Sequence, residues 1–189
     1  ASVRMRPFPA AGLDVVLFGE GRGELGGSEY LKTIHGIVRG VPPALDLARE
    51  RALHRLLVEL AAADLIRSAH DCAEGGVAAT LAECCFENGG IGADVNIAFP
   101  TDDGGVDRVA ATLFGESATR VIVSADPAST ARVLEAAKAA GIPAAAIGTT
   151  GGARLRIALD GDLVIDCAVA DAETVWRTSL ATRLTSRVE

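Results

Sequence analysis

The chain has 189 residues, enough for one sizeable domain, and 49% of them are apolar, mostly aliphatic, so a buried core is expected and disorder is confined to the ends. A formal net charge of −7, from 18 basic and 25 acidic residues with lysine only at positions 32 and 138, excludes the concentrated basic face that nucleic acid binding needs. No apolar run approaches the ~20 residues of a membrane span, and residues 1–9 lack the hydrophobic stretch of a secretion signal, so a cytoplasmic protein is expected.

Residues 1–12 carry two prolines and no clear period and read as a connecting arm. Leu13 to Phe18 is an apolar run bounded by glycines, hence a buried strand. Gly26-Gly27-Ser28 opens a short helix reaching about His35, and Pro42-Pro43 interrupts the chain. Asp46 caps a helix to about Ala63, with Leu53, Leu56, Leu57 and Leu60 as its inner stripe and Arg49, Glu50, Arg55 and Glu59 on its wet side. Residues 65–70 form a strand, and a helix follows from about Gly76 to Glu87, stopped by Asn88-Gly89-Gly90. Ile91 to Phe99 alternates as a strand, 102–105 is a solvated loop, and Asp107 to Leu113 is a short helix ending at Gly115. Arg120 to Ala125 is a strand; Asp126-Pro127 starts a helix that ends at Gly141. Three strands follow at 143–148, 154–159 and 162–167, with Gly151-Gly152 and Asp160-Gly161 at their turns, read as closing hairpins. A helix over 171–184 contains Trp176. Interleaved helices and strands with antiparallel closing strands define a mixed α/β class, a sheet with helices packed on it, in one domain.

Four cysteines, Cys72, Cys84, Cys85 and Cys167, lack metal-ligand or disulfide spacing and read as reduced, mostly buried thiols. Cys72 alone sits at a possible helix N-terminus, where a thiolate would be favoured, but no histidine is placed as its base. The stretch SAHDCAEGGVA, Ser68 to Ala78, carries more information. A strand running into Gly-Gly at a helix start presents unpaired amide N–H groups and the positive end of the helix dipole, which suits a phosphate. Two readings stand together: Gly75 and Gly76 face a phosphate with Asp71 as orienting acid, or the glycines make a tight turn that Asp71 caps. Asp71 and Glu74 would meet a phosphate through Mg²⁺, although acids at a helix start need no metal. GELGGSEYL, Gly23 to Leu31, is a second glycine-rich helix start without the Gly-Lys-Ser/Thr of a nucleotide loop. FGESATR, Phe114 to Arg120, places polar groups just before a buried strand, in a position to line a cleft, with Glu116 and Ser117 as the chosen lining, and no hydrolase elbow is present. His35 and His54 fall on helical patterns as surface residues.

Three segments, GELGGSEYLK, SAHDCAEGGVAATLAE and LFGESATRVIVSADP, together resemble the last domain of the phosphoribosylformylglycinamidine synthase family, from about Asp14 to about Asp171 and in the family's order. The first is the most specific. The other two recur more loosely in aminoimidazole ribonucleotide synthetase, selenophosphate synthetase, thiamine-monophosphate kinase and the hydrogenase maturation synthetase. The resemblance implies the C-terminal-domain fold of the aminoimidazole ribonucleotide synthetase superfamily, a mixed sheet related to a ferredoxin-like one and covered by helices. It implies residues 1–12 as the end of a preceding domain and 13–189 as the α/β domain.

What the resemblance implies for function is a share in an ATP-dependent ligase of purine biosynthesis. MgATP phosphorylates the formamide oxygen of formylglycinamide ribonucleotide, and ammonia from glutamine displaces phosphate to give the amidine. ATP and Mg²⁺ are implied for the whole enzyme and none is assigned to this domain. The implied partners are upstream domains, a glutaminase subunit and a small bridging subunit. The family's catalytic histidine, Mg²⁺-binding acids and ATP-binding lysine belong to upstream domains, so no catalytic or metal residue is carried over, and the isolated chain is expected to be inactive. Where the family's first half has Glu-Ser-Gln, this chain has Glu116-Ser117-Ala118, without the amide. The family's second half implies a degenerate auxiliary nucleotide site, for which Asp71, Gly75, Gly76, Glu116 and Ser117 are the candidate residues. The alternatives are a non-catalytic packing module and a domain of a sister synthetase such as aminoimidazole ribonucleotide synthetase. GGSEYLK speaks for the formylglycinamidine branch.

Overall fold

Strand composition decides how each half of the sheet is covered. In the computed structural model, which describes residues 3–99 and 107–185, the described strands are β1 (Asp14–Phe18), β2 (Ser68–Asp71), β3 (Ala93–Ile97), β4 (Val121–Ala125), β5 (Ala144–Thr150), β6 (Arg154–Leu159) and β7 (Asp162–Ala168). They join in the order β2-β4-β1-β5-β3-β6-β7. β3 and β6 pair parallel and the other neighbours antiparallel.

β4 is buried at every position, Ser124 included, so both faces of that half are covered. Successive side chains point to opposite faces: Val15 and Ile122 enter one core, Val16, Val121 and Val123 the other. β3 alternates, with Ala93, Val95 and Ile97 buried and Asp94 and Asn96 exposed, so its half has one wet face. On that wet face Arg156 pairs with Asp94 (3.1 Å) and Arg154 with Asp166 (2.5 Å).

The helices are α1 (Glu29–His35), α2 (Leu47–Ala62), α3 (Gly76–Cys84), α4 (Arg108–Phe114), α5 (Pro127–Ala139) and α6 (Val169–Thr185). Leu53, Leu56 and Leu60 of α2 and Val133 and Ala137 of α5 fill one core; Val77, Leu81 and Cys84 of α3 fill the other. Leu57 is only half-buried. Burying a Leu side chain contributes about 1.5–3 kcal/mol, so these stripes hold the helices down. Residues 3–12 lie on the body: Phe8 is buried, its N–H donates to Cys84 O (2.8 Å), and Ala69 N–H donates to Met5 O (3.2 Å) beside β2.

Three expectations are corrected. β5 and β6 form no hairpin, because β3 lies between them and the Gly151-Gly152 turn bonds to Gly92 just ahead of β3. Only β6 and β7 make the closing hairpin, across Asp160-Gly161. α3 stops at Cys84, three residues early, and Glu87 takes a left-handed conformation (φ 59°). Glu50 and Arg49 are half-buried rather than wet: Glu50 accepts from Thr119 Oγ1 (2.6 Å) and Arg49 approaches Glu20 (3.8 Å). The loop expected at 102–105 lies outside the described residues.

Candidate functional site

β2 and β4 are neighbours, so the turn that leaves β2 lies beside the segment that leads into β4. The two candidate motifs therefore meet. Gly75 N–H donates to Glu116 Oε1 (2.8 Å), and the same oxygen accepts from Glu29 N–H at the start of α1 (3.0 Å). Gly76 N–H donates to Ala73 O (3.1 Å). Both candidate amides thus already have protein acceptors.

The glycines themselves answer to space and backbone angle. Gly75 (φ +77°) would bring a Cβ to 2.7 Å from Ala79 Cβ. At Gly76 (φ +66°) a Cβ would lie 2.7–2.8 Å from Gly115 O, Leu113 O and Phe114 C, so the end of α4 rests directly on the start of α3.

The segment from Gly115 to Arg120 is a hub of main-chain contacts. Glu116 N–H donates to Glu24 O (3.1 Å), and buried Ser117 Oγ accepts from Arg22 N–H (3.0 Å). Arg120 is buried; its Nε donates to Ser117 O (3.1 Å), its Nη2 donates to Gly115 O, and burial pushes its pKa down. Thr119 adopts φ +61°, a strained conformation for a β-branched residue, and its hydroxyl donates to Glu50.

Asp71 stands apart from Gly75, Gly76 and Ser117. Its side chain is 72% exposed and lies on a cleft of about 470 Å³ together with Glu50, His54, His70, Thr119 and Arg120. His70 is held between two carboxylates: Nε2 is 2.6 Å from Glu83 and Nδ1 is 3.4 Å from Asp71. Glu116 also borders this cleft, whereas Gly75 faces an apolar groove beside Tyr30 and Phe114. Of the segment 114–120 that the sequence sets beside a cleft, Glu116, Thr119 and Arg120 line it, whereas Ser117, expected to line it, is buried away from it; Glu50 joins from α2, where the helical pattern placed it on the wet side.

Cys72 is buried, and burial pushes its thiol up, away from the thiolate that a helix N-terminus favours. Among the described residues no group of three or more His, Cys, Asp or Glu side chains is placed to hold a metal ion. The amides of Gly75 and Gly76, the two the sequence sets against a phosphate, are both bonded within the chain. No described helix is long and apolar enough to cross a membrane.

Fold and motif order define the class: residues 10–160 match the family described as AIR synthase related protein, C-terminal domain, and the chain belongs to that family. Among named relatives, it is 42% identical over 166 residues to the phosphoribosylformylglycinamidine synthase subunit PurL of Moorella thermoacetica, covering 88% of this chain and 22% of the relative. It is also 42% identical over 179 residues to the PurL subunit of Anaeromyxobacter dehalogenans, covering 90% of this chain and 22% of the relative. The chain thus spans about a fifth of the length of these relatives. Among solved structures, T. maritima PurL complexed with FGAR superposes with a TM-score of 0.75 at 20% identity, covering 91% of this chain and 29% of that one. T. maritima PurL complexed with ATP gives 0.71 at 21% identity, covering 91% and 27%. At that identity the likeness is one of fold.

Proposed function

We propose that this chain is one domain of a phosphoribosylformylglycinamidine synthase. In that enzyme MgATP activates the formamide oxygen of formylglycinamide ribonucleotide, and ammonia drawn from glutamine displaces phosphate. The observation that carries the reading is the 42% identity to PurL subunits across 88% of the chain. The domain is read as supplying architecture, a reading supported by the Gly75 and Gly76 amides being bonded within the chain. Other parts of the polypeptide, a glutaminase subunit and a small bridging subunit complete the machine; a PurLQS assembly is known from Thermotoga maritima.

Within the domain, an auxiliary nucleotide site is assigned to the cleft that Asp71 and Glu116 border, with Gly75 and Ser117 holding the segment that carries Glu116 and Gly76 seating the end of α4 on α3. Grafting residues 10–160 into the matching segment of the Moorella thermoacetica subunit tests the reading. The chimera is expected to form the amidine from ATP, ammonia and formylglycinamide ribonucleotide, and the isolated chain to form none. A folded but inactive chimera, or turnover by the isolated chain, contradicts it.

A further inference from the structure

α3 is the one helix among α1 to α4 whose own N-cap offers no side chain. Its cap residue is Gly75, and its first turn carries no acid. The other three are capped by Ser28, Asp46 and Asp107, each bonding amides two or three residues ahead. α3 instead receives Glu116 from 41 positions along the chain. That carboxylate oxygen also takes Glu29 N–H at the start of α1, a helix with no buried residue of its own. α1 is otherwise seated by a stack of Tyr30 on Phe114, with ring centroids 4.9 Å apart and planes 7° apart.

The glycine turn has the form of a phosphate cradle, and its occupant is already present. We infer that Glu116 is an internal anion that closes the α3 turn to external phosphate and fixes α1 on the α3–α4 pair. A carboxylate oxygen at 2.8–3.0 Å from two amides stands where a phosphate oxygen would stand. Its tether makes it present at any solution composition, so a free anion competes against an intramolecular group. Backbone bonding holds that tether in place: Glu116 N–H is bound to Glu24 O, and the next residue is locked by Arg22. This role concerns the chain's own turn and stands whether or not the synthetase reading holds.

Small carboxylates provide the test, because a merely structural role would not respond to them. In the full chain, Glu116→Ala is expected to lower Tm by about 4–8 °C. The amides of Glu29 and Gly75 are expected to lose hydrogen-exchange protection together. Formate at about 100 mM is expected to return about 2 °C to that variant and nothing to wild type, against a chloride control of equal ionic strength. Glu116→Gln keeps an acceptor oxygen and loses the charge, so it is expected to fall between wild type and Glu116→Ala in both measurements; it also serves if the alanine variant does not fold, and a glutamine variant indistinguishable from wild type would overturn the anionic role. In wild type, the Gly75 amide resonance is expected to stay fixed as inorganic phosphate is raised to about 20 mM. A phosphate-dependent shift of that resonance, unprotected Glu29 and Gly75 amides in wild type, or equal formate stabilisation of wild type and Glu116→Ala each overturns the inference.

Discussion

The starts of α2 and α3 solve one problem in two ways. Each helix begins with amide N–H groups that have no partner within the helix. At α2 the answer is local: Asp46 Oδ1 accepts from Ala48 N–H (2.9 Å) and Arg49 N–H (3.1 Å). At α3 the answer comes from the neighbouring segment that leads into β4: Glu116 reaches Gly75, and Gly76 leaves room for the end of α4. The local cap needs only its own helix. The remote cap ties α1, α3 and the approach to β4 into one unit, so damage there spreads.

The sharpest way to break the contrast is Gly76→Ala. A methyl there meets three backbone atoms at 2.7–2.8 Å in a left-handed conformation, none of which can swing aside. A loss of about 3 kcal/mol is expected in denaturant unfolding, with α3 and α4 loosened together. A loss below about 1 kcal/mol would show that the α3–α4 seat is adjustable.

Asp46→Ala is the local counterpart and is expected to lower Tm by about 2–4 °C, with extra hydrogen exchange confined to the first turn of α2. Spread of that exchange into α1 or α3 would erase the distinction. The effect is also pH-dependent. The amides of Arg49 and Ala48 hold the Asp46 carboxyl below the ordinary carboxylate range. A depressed folded pKa means that its stabilisation is complete above the unfolded pKa and is lost as pH falls through the folded one. The Tm gap between wild type and Asp46→Ala should therefore shrink between about pH 5 and about pH 2.

A chemical probe separates buried from accessible thiols around the same turn. Burial raises the Cys72 and Cys84 thiols and pushes Cys85 up to about 12. At about pH 8 an alkylating reagent should modify half-buried Cys167 and spare those three, read by mass spectrometry of the native protein. Rapid labelling of Cys72 would mean that the α3 turn opens readily. The smallest effect is expected at the exposed Lys32–Glu29 pair on α1 (2.7 Å): Lys32→Ala should move Tm by less than about 1 °C, because such pairs contribute little in water. A larger drop would assign α1 a tether other than Glu116 and the Tyr30–Phe114 stack.

Much of the secondary structure was legible because its causes are short-range. Ser28, Asp46, Asp107 and Asp126-Pro127 announced four helix starts, and each helix begins there. The alternation over 91–99 likewise announced β3, and the run over 120–125 announced β4. Of the candidate site, the motifs were visible and their contact was not. Glu116 was expected to face a cleft and instead also joins two helix starts; Asp71 was expected beside the glycines and stands on the cleft.

Periodicity and capping act within about four residues, so a linear string records them in full. Which strand enters between β5 and β6, and which carboxylate meets the Gly75 amide, depend on groups 41 or more positions apart. Such pairings are settled only when the cores on the two faces of the sheet close and every buried donor must find its acceptor in the space that remains.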